Sequence, residues 1–210
     1  MPLLAYCILL DSRPTNFPSE GILGSQTASI EESGLIALSS EMERNAISTS
    51  NFQQAALEFH RVVQAVFARK AVVPFRFPTW LSAMEMKEHL RQQSSRYKDF
   101  LIRHADHVQM EVRIASQESI MTEAATGAEH LRIRAAQFRA VSEHAKQLKH
   151  QLADIAIEWR ERENPADLRL YALVSRTLVD AFREKLNRIS VRASGPWPAT
   201  EFFESPPAKD

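Results

Sequence analysis

The chain has 210 residues, 44% of them hydrophobic and 25% charged, the proportions of a soluble globular protein long enough to bury a sizeable core in one or two domains. Lys plus Arg and Asp plus Glu each number 26, so the formal net charge is zero; the basic excess that phosphate neutralisation asks of a nucleic-acid binder is missing, and no nucleic-acid partner is expected. Cys7 is the only cysteine, which excludes an intramolecular disulfide and fits a reducing cytoplasm.

Leu3 to Leu10 is a continuous apolar run that stops at Asp11-Ser12-Arg13-Pro14. Its length and stop signal predict a buried strand. It is too short to cross a bilayer, and it has neither a basic lead nor a small-residue cleavage site, so no membrane span and no signal peptide are expected. Thr27–Ile30 and Leu35–Leu38 predict two further strands, joined through Ile30-Glu31-Glu32-Ser33-Gly34 by a hairpin turn or a looser connection.

Ser50 or Asn51 can cap a helix running to about Lys70, with Leu57, Val62 and Val66 and the Ala55/Phe59/Val63 set as its apolar face. Ala71-Val72-Val73-Pro74-Phe75-Arg76-Phe77 follows. Pro74 cannot donate a ladder hydrogen bond, which predicts an edge strand or a strand end. Thr79 is expected to open a second helix with Leu81, Met84 and Leu90 at apolar positions, continuing with a break to about Arg103.

Val108, Met110, Val112 and Ile114 alternate with Gln109, Glu111 and Arg113, the period of a strand with one face buried. Gly127 to Gln151 predicts a long helix. Its narrow apolar stripe is Leu131, Phe138, Val141, Ala145, Leu148 and Leu152. Such a helix is about 38 Å long, longer than a sheet of short strands, so part of it is expected to overhang.

Ala153, Ile155, Ile157 and Trp159 predict another strand, Asn164-Pro165 a turn, and Leu168–Val174 a central strand. A helix is expected over Thr177–Arg188 with Leu178, Phe182 and Leu186 in line, then a last strand through Ile189, Val191 and Ala193. The expected fold class is therefore α+β in two domains: residues 1–103, and residues 104–204 in the β-α-β-β-α-β order of a ferredoxin-like fold with a long helix. Residues 205–210 form a Pro-rich, polar tail expected to be flexible.

Chemistry-bearing patterns are scarce. There is no phosphate-binding loop, dinucleotide fingerprint, nucleophile elbow or His-Glu-x-x-His helix. His104 and His107 flank Asp106, and His144 and His150 share the long helix, but no set has the spacing or number of ligands of a metal site. Cys7 in an apolar strand is expected to be an inert, buried thiol. No catalytic residue, metal or cofactor is expected.

Three segments carry a resemblance. Ala71–Phe77 resembles the "lPlrFG" segment of the gas vesicle protein F/L family, GvpF and GvpL. Gly195-Pro196-Trp197-Pro198, with Phe202 beyond it, is similar to that family's closing "GPWPPYsF". Thr126-Gly127-Ala128-Glu129-His130-Leu131 weakly resembles its "GtaYL" segment. The sequence departs from the family at Pro78, usually Gly, at His130, usually Tyr, and at Ala199-Thr200, usually Pro-Tyr.

The resemblance implies two α+β domains and no catalytic activity. It implies a role in assembling gas vesicles, in contact with the hydrophobic shell protein and other accessory proteins, in the cytoplasm and at the gas vesicle. On it, Pro74, Phe75, Arg76, Phe77, Gly195, Pro196, Trp197 and Pro198 are candidates for structural or partner-contact roles, and Trp197 is expected to be an anchor with any partner contact secondary. The alternative from another class is a ferredoxin-like small-molecule-binding or regulatory protein.

Overall fold

In the computed structural model, which describes residues 1–11, 17–115, 127–164 and 167–203, the run Leu3–Leu10 is strand β1. The chain divides into two units, Met1–Asp106 and His107–Asp210. Residues Ser12–Pro14, Thr126, Pro165 and the tail from Ser205 lie outside the described residues, as do the side chains of Leu131 and Phe138.

In the first unit, β2 (Thr27–Glu32) and β3 (Leu35–Glu41) form a hairpin. Its two turn residues, Ser33 and Gly34, have φ of 52° and 71°. Two positive φ angles match the right-handed twist of the flanking strands, so the connection is the tight turn rather than the looser one. β3 pairs antiparallel with β1, and the far side of β1 pairs with two short strands, β4 (Val73–Pro74) and, beyond helix α1 (Phe52–Phe67), β5 (Trp80–Leu81). Every residue from Leu3 to Leu9 is buried, so both faces of β1 are covered. Helices α2 (Ala83–Gln92) and α3 (Ser94–Arg103) complete the unit; α2 packs on the β2–β3 hairpin, and α1 and α3 on β1.

Several expectations for this unit are corrected. Leu57 is 72% exposed, because the buried face of α1 is Ala55, Phe59, Val62, Val63 and Val66 and Leu57 lies off it. Asn51 precedes α1 but does not cap it with its side chain, which is tied backwards to the Ser48 N–H and the Ala46 carbonyl. The second helix opens at Ser82, not Thr79: Ser82 and Glu85 form a reciprocal capping box, while Trp80 and Leu81 are committed to pairing with β1. Met84 is consequently 79% exposed, whereas Leu90 is buried.

In the second unit, β6 (His107–Ala115), α4 (Gly127–Gln151), β7 (Ala156–Asn164), β8 (Asp167–Ser175), α5 (Val179–Arg188) and β9 (Ala193–Trp197) follow in order. The sheet order is β7-β8-β6-β9 with every neighbour antiparallel. Met110, Ala172 and Trp159 lie in register on the face that meets Phe182 of α5. Among the described side chains of α4, Ala145 and Leu148 near its end are buried, followed by Leu152 beyond it, whereas Arg132, Ala135, Ala136, Arg139 and Ala140 are exposed.

Two predicted alternations are corrected here. Ile157 is the extra residue of a bulge in β7, which turns its side chain outward, 59% exposed, while Trp159 returns inward. The last strand is not Ile189–Ala193 but Ala193–Trp197: Ser190 has φ of 58° in the turn after α5, and pairing with β6 starts only at Ala193. Leu178 ends a short 3₁₀ turn and is partly exposed, leaving Val179, Phe182 and Leu186 as the buried line.

Candidate functional site

Phe75 to Thr79 leave the edge of the first sheet as a short loop. The Phe75 N–H donates to the Tyr6 carbonyl at 2.9 Å, and the Ala5 N–H donates to the Thr79 carbonyl at 3.0 Å. Adjacent residues of β1 thus hold both ends of the loop, and Arg76, Phe77 and Pro78 are pushed out between them. Phe77 folds back against helix α1, with ring centroids 5.3 Å from Phe52 and 5.1 Å from Phe59, and Phe59 continues to Tyr6 at 5.4 Å. Thr79 donates its hydroxyl to the Arg76 carbonyl. Arg76 itself is exposed and Pro74 is half-buried.

Tyr6 is the extra residue of a bulge in β1, and its hydroxyl sits at a buried polar junction. It accepts from the Ile22 N–H at 3.0 Å and donates to Ser40 Oγ at 3.0 Å. Gly21 closes over this junction so tightly that a Cβ would fall 2.4 Å from both the Tyr6 and the Ser40 oxygens. On the other side of the loop, the Phe75 ring lies 5.9 Å from His89, whose Nε2 is 2.8 Å from the Tyr97 hydroxyl. Desolvation holds the His89 pKa below its ordinary value and raises that of Tyr97.

Gly195-Pro196-Trp197-Pro198 lies in the other unit and is not part of this loop. Gly195 has φ of 116°, and a Cβ there would meet the Gln109 carbonyl oxygen at 2.9 Å. Its own carbonyl accepts from Arg183 of α5. Trp197 pairs with Gln109 in the β6–β9 ladder and its indole is half-buried, the Nε1–H donating to Ser194 Oγ at 3.4 Å.

Pro198 is buried, and the chain beyond it crosses the sheet face opposite α5: the Glu201 N–H donates to the buried Gln109 side chain at 3.0 Å, Glu201 pairs with Arg162 at 2.8 Å, and buried Phe202 lies 6.0 Å from the Arg160 guanidinium. The motif therefore steers the chain across its own sheet.

Among the described residues no group of three His, Cys, Asp or Glu could hold a metal ion, and no helix is long and apolar enough to cross a membrane. His104 is buried against Phe100 at 4.6 Å between ring centroids. Burial pushes the Cys7 thiol up to about 12. Tyr6, Gly21, Phe52, His89 and Gln109 were not singled out by the sequence patterns; the one available signal was Tyr6, a polar tip within an apolar strand.

The sequence matches the family model of gas vesicle synthesis protein GvpL/GvpF over residues 2–143. The chain belongs to this family. Solved structures agree in fold: the crystal structure of the gas vesicle protein GvpF from Anabaena sp. PCC7120 is similar over 98% of this chain and 97% of that one, with a TM-score of 0.79 and 16% identity. GvpF from Microcystis aeruginosa is similar over 96% of this chain and 98% of that one, with a TM-score of 0.75 and 15% identity. No curated protein matches the sequence. The family match contains the loop at Pro74–Phe77, while Gly195–Pro198 lies beyond it.

Proposed function

We propose that this member of the GvpL/GvpF family is a non-catalytic accessory protein of gas vesicle assembly, acting in the cytoplasm and at the vesicle by binding the hydrophobic shell protein and other accessory proteins. Family membership over residues 2–143 is the observation that carries this reading. A shell subunit with a strongly apolar face aggregates before assembly unless that face is occupied, and an adaptor that holds it meets this need. The two-domain α+β organisation fits such an adaptor, and the β7-β8-β6-β9 order with the strand-helix-strand-strand-helix-strand sequence supports a ferredoxin-like reading of the second unit.

The loop at Pro74–Phe77 is the favoured contact, since its backbone is held at both ends while its tip faces outward. Disrupting the gene in its own cell and counting vesicles by electron microscopy tests the role. Vesicles should be lost or malformed and should return when the intact chain is resupplied; unchanged vesicles would refute it.

A further inference from the structure

Resting on the proposed function, we infer that Arg76 is the contact through which this protein captures a carboxylate on an acidic segment of the shell protein. The loop holds the backbone of this residue and both its neighbours and leaves its side chain exposed. Phe75 and Phe77 on either side are packed on His89 and on Phe52 and Phe59, and its carbonyl accepts from Thr79. The guanidinium has no hydrogen bond or ion pair among the described residues and faces solvent. Arg91 of the same unit, by contrast, is occupied by Glu32 at 3.5 Å and Glu88 at 2.6 Å.

A cation on a backbone already fixed loses less conformational freedom on binding than one on a free loop. The planar guanidinium presents parallel donors that match the two oxygens of a carboxylate. Phe52, 45% exposed and packed at a tilt against Phe77, supplies an apolar surface beside the loop. The matching partner segment therefore carries Asp or Glu next to an apolar side chain. A polyanion is the poorer match, because its affinity comes from many neutralised phosphates and this chain has no net basic charge.

The test is binding of the full-length protein to purified shell protein. Arg76→Ala should weaken binding about tenfold, the effect of losing one charge-assisted hydrogen-bond pair. Arg76→Glu should weaken it further, and both variants should melt at the wild-type temperature. Arg76→Lys should retain part of the affinity and, with a carbodiimide, should couple the introduced amine to an Asp or Glu of the shell protein, mapped by mass spectrometry.

Binding of Arg76→Ala and Arg76→Glu within twofold of wild type would overturn the assignment of Arg76 while leaving the assembly role intact. A coupling-free Arg76→Lys complex would do the same. Failure of the wild-type protein itself to bind would overturn both.

Discussion

The two family-like motifs are held in opposite ways. In the first unit, Phe75 and Phe77 are fixed by side-chain packing on helices, and the residue between them is left outward and unoccupied by the described fold. In the second, Gly195 is fixed by backbone proximity, and the chain from Pro198 to Phe202 is drawn onto the sheet through Gln109, Arg162 and Arg160. A short motif can thus serve presentation in one place and closure in another, and the difference is visible in where its polar groups end up.

Substitutions can break this contrast. Gly195→Ala should have the largest effect, about 3 kcal/mol in chemical denaturation, because it adds a Cβ at a positive φ against the Gln109 carbonyl. A stability change below about 0.5 kcal/mol would show that the corner is not held by close approach.

Phe77→Ala should cost about 2 kcal/mol, below the full-core value because the ring is only half-buried, and should release the loop tip. Tyr6→Phe should cost about 1.5 kcal/mol by leaving the buried Ile22 N–H without its acceptor.

The smallest effect should come from pH. His89 has a folded-state pKa below its ordinary value of 6.5. The neutral form is favoured in the fold, so its contribution is intact above the unfolded pKa and is lost as pH falls through the folded one. Melting of wild type and His89→Gln from pH 7 down to pH 5 should show a steeper loss for wild type; parallel curves would remove His89 from the support of the loop.

The long regular elements were legible in the residues. Val108–Ile114 and Gly127–Gln151 each carry one period over many positions, Leu168–Val174 is apolar on both faces as a central strand is, and each forms the predicted element. What was illegible depends on single extra residues. The bulge at Ile157 reverses the faces of β7 without leaving a mark in the pattern, and the bulge at Tyr6 brings its hydroxyl to Ser40 from a strand that reads as uniformly apolar.

Trp80 and Leu81 resemble a helix start because a two-residue strand has no period to read, although Ser82 and Glu85 offered the capping signal. At the site, Pro74 correctly indicated a strand end at an edge. That two adjacent residues of β1 would push the next segment outward depends on long-range pairing, which local sequence does not encode.

The most direct measurement is a binding isotherm of the full-length protein with purified shell protein, recorded in parallel for wild type, Arg76→Ala and Gly195→Ala at a temperature where all three are folded. Saturable binding by wild type, weakened by Arg76→Ala and preserved in folded Gly195→Ala, is the result this account predicts. Absence of saturable binding by the folded wild-type protein would contradict it.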